Sequence, residues 1–318
     1  MKPQNNNLSR RSFIKNTMLT GTLLPLYENV FSMFNNTTAR LKTHIFSKHL
    51  QFLNYADMAE AAAEMGFDGV DLTVRPNGHV LPERVESDLP KALEATRKVG
   101  LAPLLMTSSV QDANDNTDKK VLETAVKLGI QYYRMNWYSY PEGKTIPELL
   151  QNFQQQIKEL SYLNKELGLT GCYQNHAGTG VGSSIWELWE LLREADKQYM
   201  GLQYDIRHAV VEGGQSWQNG LRLVQPQIKT IAVKDFIWEK KNGVWDTTNT
   251  PIGEGMVDFK TYFKLLKQYQ VNVPVTLHLE YSLGGAEHGA TKITCDKKVV
   301  FEAMKKNLQK VHELWQQV

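Results

Sequence analysis

The chain has 318 residues, 22% of them charged, and a formal net charge of +2. That balance gives no electrostatic case for nucleic acid as a partner. Two cysteines, Cys172 and Cys295, are too few for a disulfide framework, and neither stands in a zinc-ligand spacing.

The N-terminal run Ser9-Arg10-Arg11-Ser12-Phe13-Ile14-Lys15 precedes a modest apolar stretch, Met18 to Leu26. The basic-then-apolar order resembles a twin-arginine export signal. The apolar stretch is too short and too mixed to span a bilayer. The expectation is an exported, periplasmic protein without a stable membrane span. Residues 1–40 would be signal and disordered leader, and 41–318 the folded domain.

From residue 41 a unit repeats about every thirty residues: a short β-forming run, a polar loop, then an amphipathic helix. The runs are His44–His49, Gly69–Val74, Leu101–Thr107, Gln131–Trp137, Leu169–Gln174, Leu202–Asp205, Ile228–Lys234 and Val275–Glu280. The helices expected between them are Tyr55–Met65, Leu89–Val99, Asp118–Leu128, Ile146–Leu167, Ile185–Ala195, Ser216–Val224, Val257–Tyr269 and Lys297–Gln317. Glycine follows several of them, as at Gly66, Gly100, Gly129 and Gly168. Ser184 and Glu187 read as a capping box, and the residues after Lys234 as a long loop. Strict alternation calls for parallel strands, and eight units are the count of a single α/β (β/α)₈ TIM barrel. An open doubly wound sheet usually carries a glycine-rich turn after its first strand. Here that strand leads into Lys48-His49-Leu50 instead.

In such a barrel the chemistry lies at the C-terminal strand ends. Residues two apart share a strand face. One parity is polar in Asp71/Thr73/Arg75, Tyr132/Arg134/Asn136, Cys172/Gln174/His176, Thr230/Lys234 and Thr276/His278/Glu280. The other parity is apolar. A ring of inward polar side chains points to a bound ligand.

The motifs Tyr173-Gln-Asn-His176, Tyr204-Asp-Ile-Arg-His208, Ile231-Ala-Val-Lys-Asp235, Ile252-Gly-Glu-Gly255 and Leu277-His-Leu-Glu280 together resemble the xylose isomerase-like TIM-barrel superfamily. The likeness spans about residues 41–317. With the export signal and Glu280-Tyr-Ser-Leu-Gly-Gly285, the chain looks like a secreted Bacteroidetes-type branch. The resemblance implies a sugar isomerase or epimerase, with a sugar or sugar derivative as partner. It also implies one divalent metal (Mn, Zn, Co or Mg) at positions 174, 205, 232 and 280. Gln174, Asp205 and Glu280 carry oxygen there, Ala232 carries nothing, and His278 is a substitute ligand. A rearranged metal site and a metal-free sugar site both fit these residues. The expected catalytic groups are Glu280 as base, Lys234 for the oxyanion, and His176 or His208 for the second proton. Lys48, His49, Arg134 and Trp137 are expected to bind substrate. A non-catalytic sugar-binding barrel is the alternative.

Overall fold

The structure, a computed structural model, describes residues 40–318. The twin-arginine motif and all but the last residue of the expected leader lie outside the described residues.

Eight parallel strands close into a barrel: β1 (Thr43–Phe46), β2 (Gly69–Val74), β3 (Ala102–Ser108), β4 (Tyr132–Arg134), β5 (Thr170–Gln174), β6 (Met200–Asp205), β7 (Ile228–Val233) and, last around the ring, β10 (Val275–Leu277). Closure is made by β1, which pairs with β2 on one side and with β10 on the other. An open sheet is thereby excluded.

The alternation of the strands decides what faces where. Ile45, Val70, Leu72, Tyr133, Tyr173, Leu202, Tyr204, Ile231, Val233 and Leu277 are buried, and they form one apolar core with residues of the surrounding helices. Those helices are α1 (Tyr55–Glu64), α2 (Val85–Lys98), α3 (Asn116–Lys127), α4 (Ile146–Leu167), α5 (Ile185–Leu191), α6 (Ile206–Gly213), α7 (Trp217–Val224), α8 (Phe259–Gln268) and α9 (Lys297–Gln316). The strands pack so tightly on their neighbours that a Cβ on Gly201 of β6 would stand 2.3 Å from the Gln227 carbonyl oxygen.

Two elements differ from the sequence reading. The region after β7 is a hairpin, β8 (Asp235–Lys241) and β9 (Val244–Thr250). Its turn is Asn242-Gly243, with φ of 51° and 87°. That pair of positive φ values is what a tight two-residue hairpin turn demands, and Asn-Gly is its strongest sequence signal. The second difference is α6, which starts directly at the tip of β6. The Asp205 side chain caps it by accepting the His208 amide at 3.2 Å. The expected capping box at α5 is not made by Ser184, whose side chain forms no cap; Glu187 instead accepts the Gly182 amide at 2.8 Å, two residues before the cap.

Candidate active site

Six strand ends bring their polar residues to one mouth. Asp205, at the tip of β6, is fully buried. Its Oδ1 caps α6, and its Oδ2 accepts from Gln174 Nε2 at 2.8 Å and lies 3.2 Å from Lys234 Nζ. Asn175 holds the strand end in place, exchanging hydrogen bonds with the Asp205 amide and carbonyl at 2.8 and 2.9 Å. Lys234, just past β7, also donates to Glu280 Oε2 at 3.1 Å. Lys48, in the turn after β1, donates to Glu280 Oε1 at 2.9 Å. The result is a continuous chain of charge: Lys48, Glu280, Lys234, Asp205.

The two carboxylates differ in access. The Asp205 side chain is 0% exposed and that of Glu280 is 22%. Burial pushes Asp205 up from the ordinary carboxylate range, with Lys234 pulling it back. Burial would raise Glu280 as well, but Lys234, His278 and Lys48 together hold it well below the usual range. Both stay ionised around Lys234 because an ammonium at hydrogen-bond distance favours the charged form.

Three histidines stand around this chain. His208 Nδ1 faces the Arg207 guanidinium at 3.0 Å, so Nδ1 accepts and the proton sits on Nε2. That Nε2 has no hydrogen-bond partner and lies 3.7 Å from Asp205 Oδ2. His176 lies in the loop after β5 and is exposed. Its Nδ1 donates to the Ala177 carbonyl at 3.1 Å, which leaves Nε2 free. The His176 and His208 rings are 4.0 Å apart. His278 stacks on Phe46 at 4.4 Å, and neither of its ring nitrogens has a partner. Burial lowers its pKa to about 3.

Two of the expected binding residues are placed differently from the sequence reading. His49 was expected to meet substrate. It is fully buried, its Nε2 accepts the Leu279 amide at 3.0 Å, and its Nδ1 donates to the Ala286 carbonyl at 3.2 Å. Both nitrogens are spent on fixing the chain after β10. Gln174 was expected to offer oxygen to a metal. Its Oε1 instead accepts from Arg134 at 2.7 Å. Arg134 in turn covers the Trp137 ring at 4.2 Å, and Trp137 donates to the Gln174 carbonyl at 2.9 Å. Arg134 and Trp137 therefore sit at the mouth, but one face of the indole is already occupied.

A profile of the xylose isomerase-like TIM barrel matches residues 59–294. The chain belongs to that family. Among solved structures of the same fold is the D-psicose 3-epimerase of Clostridium cellulolyticum H10 with D-tagatose, at 12% identity and TM-score 0.63. The match covers 87% of this chain and 100% of the epimerase. The IOLI protein with a bound zinc atom gives 16% identity and TM-score 0.66, over 87% of this chain and 99% of that one. The apo 3-keto-D-glucoside 4-epimerase of E. coli gives 11% and 0.62, over 84% and 99%. At such identities the likeness carries the fold alone. No curated protein matches the chain significantly.

Solved structures of the same fold include a zinc-bound one, and the residues here can be tested against such an ion. They do not fit one as they stand. The space between Asp205 and Glu280 is taken by the Lys234 ammonium, 3.2 and 3.1 Å from the two carboxylates. Gln174 Oε1 is committed to Arg134, and position 232 is alanine. No group of three or more His, Cys, Asp or Glu placed to hold a metal exists among the described residues. The donors close around an internal cation. Among the described residues no helix is long and apolar enough to cross a membrane.

The sequence reading set Arg75 on the inward polar parity but gave neither it nor Arg207 a role at this mouth. Arg75 shares the parity of Asp71, and Arg207 stands inside the motif Tyr204-Asp-Ile-Arg-His208.

Proposed function

We propose that the protein is a sugar isomerase or epimerase that removes and returns a proton beside the sugar carbonyl. The observation that carries this is the half-buried Glu280 carboxylate set between two lysine ammonium groups. The sugar epimerases of the same fold support the choice of substrate class.

Each residue's part follows from its geometry. The carbonyl oxygen of a bound sugar competes for the Lys234 ammonium. As it does, Glu280 loses a partner and becomes more basic. Glu280 then takes the proton from the adjacent carbon, and the electron pair of that C–H bond moves into an enediolate. Lys234 and the Nε2 proton of His208 stabilise the developing oxyanion. His176, with Nε2 free at the opening, carries the proton that is exchanged between oxygens or returned from the opposite face. Return to the same carbon gives an epimer, and return to the neighbouring carbon gives an isomer. A leaving group one carbon further on would depart from the same intermediate. No step requires a metal. The charge chain is complete, which favours an enzyme over a barrel that only binds sugar.

The twin-arginine motif at Ser9–Lys15 supports export to the periplasm.

The test is hydrogen exchange in deuterated water with a panel of ketoses, aldoses and keto-glycosides, with and without EDTA. Deuterium should enter at the carbon beside the carbonyl, and chelation should leave the rate unchanged. Glu280→Gln should lower the rate roughly 10²- to 10⁴-fold. Absence of exchange with every sugar would sink the reading.

A further inference from the structure

Buried charges in proteins are normally paired, and the mouth of this barrel breaks that rule in one direction. Five cationic side chains converge on it: Lys48, Arg75, Arg134, Lys234 and Arg207. Asp71, Asp205 and Glu280 lie among them, and Asp246 and Glu212 act on Arg207 from further off. The lysines take the pairing. Lys234 bridges Asp205 and Glu280, and Lys48 holds Glu280. None of the three arginines has a carboxylate within 4.0 Å among the described residues.

What the arginines touch is neutral. Arg134 is 4% exposed, gives one hydrogen bond to the Gln174 carboxamide, and leaves Nε without a partner. Arg207 is 7% exposed and bonds His208 and Thr247, again with Nε unpartnered. Arg75 is half-buried at the end of β2 and its side chain forms no hydrogen bond among the described residues. Its guanidinium lies over the Phe46 ring at 5.6 Å, and Lys48 lies over the same ring at 5.5 Å. Lys48 in turn grips Glu280. Strand register sets Arg134 level with Thr107 and Thr73, and Arg75 follows Thr73 by two residues on the same parity, so the two guanidinium groups are near enough to repel. Burial and then the Arg75 charge hold Arg134 down to about 9. Neither guanidinium has a carboxylate within 4.0 Å among the described residues, and Asp71 and Glu280 offset their charge only at longer range, so a bound anion would relieve the arrangement.

We infer that the substrate is an anionic sugar, with a carboxylate held by Arg75 and Arg134 while its carbonyl end meets Glu280 and Lys234. A planar guanidinium fork matches the two oxygens of a carboxylate. A phosphate offers similar oxygens, so the two anions need separate arms in the experiment. This rests on the proposed carbonyl chemistry only for the orientation of the sugar, not for the anion site itself.

The test is a binding titration of the full chain, followed by tryptophan fluorescence because Trp137 carries Arg134 on its ring. The probes are D-glucuronate, D-glucose 6-phosphate and D-glucose, each at low and high salt. At least one anionic sugar should bind ten-fold or more tighter than D-glucose, and that advantage should shrink as salt rises. The better-binding arm identifies carboxylate or phosphate. Arg75→Gln breaks no side-chain hydrogen bond, so the variant should fold, and its preference for the acid should collapse toward one. Arg134→Lys keeps the charge but loses the fork, and should lose most of the preference too. Equal binding of glucose and both anions, or an Arg75→Gln variant with undiminished preference, would overturn the inference. Selective binding of the acid without hydrogen exchange would uphold it while the proposed reaction failed. Exchange of neutral and acidic sugars at equal efficiency would do the reverse.

Discussion

Lys234 is the residue on which the others depend. It is 3% exposed and stands within 3.2 Å of two carboxylates. Removing it strands Asp205, which has no other charged partner within 4.0 Å among the described residues, the His208 imidazole at 3.7 Å being neutral. Glu280 would keep Lys48. The expected outcome is an asymmetry in stability. Lys234→Met should cost about 3–5 kcal/mol, as breaking a buried pair from one side does, whereas Lys48→Met, at a more open pair, should cost less than about 1.5 kcal/mol. Urea midpoints of the two variants measure the difference, and equal losses would show that Asp205 is not held by Lys234. Asp205 also shows how a structural and a chemical role can share one side chain. One oxygen caps α6 and the other holds the lysine and Gln174. The cap and the site are alternatives in a sequence, but a carboxylate has lone pairs enough for both.

At the scale of elements, the hairpin β8–β9 is tied to the mouth from above. Arg207 donates to Thr247, and Asn249 Nδ2 donates to the Glu280 carbonyl at 3.2 Å. Its base is set by Asp235, whose carboxylate accepts the amides of Gly253, Gly255 and Val257 at 2.9, 3.0 and 3.1 Å. Glu254, inside the same turn, is exposed and 3.8 Å from Lys306. Asp235 does the ordering. Asp235→Ala leaves four amides, that of Phe236 included, without an acceptor and should destabilise the protein by about 1–3 kcal/mol. Since the same hairpin positions the Glu280 backbone, activity should fall more than stability alone explains. Thermal unfolding together with the exchange rate measured well below the transition decides this. A variant that loses stability and keeps its full rate would show the hairpin to be passive.

The whole molecule carries a pH signature. His44 and His79 are pushed down to about 4, and His278 to about 3, chiefly by burial. His49 and His208 are also held well below the ordinary histidine range, again by burial first. A group whose folded pKa is lowered binds fewer protons folded than unfolded, so stability falls as pH drops below the unfolded value near 6.5. Each histidine contributes up to about 1.4 kcal/mol per pH unit in that window. Asp71, raised by burial to about 6, and Asp205, also raised by burial, act in the opposite sense below pH 6. His176 and His312 are lowered too, and Asp118, Glu187 and Asp235 raised, so seven histidines stand against five carboxylates and Tm should fall from pH 7 to pH 5. Calorimetry across that range checks it, and a flat or rising Tm would mean that the imidazoles are not buried neutral.

The sequence by itself determined the barrel, because strand and helix periodicities are local and an eight-fold βα repeat has few ways to close. It also determined the polar parity, hence Gln174, Asp205, Lys234, His278 and Glu280 as neighbours at one end. What lies between those residues was decided only by the tertiary structure. Side chains from β5, β6, β7 and β10 are up to about a hundred residues apart, and which donor meets which acceptor depends on register and length. That is why Lys234 could occupy the space expected for a metal, why His49 could turn inward to bond Leu279 and Ala286, and why three arginines could be left without carboxylate partners. Asp205 and His208 mark the place of the site in the sequence. Its charge, and with it the kind of ligand it calls for, exists only once the barrel has closed.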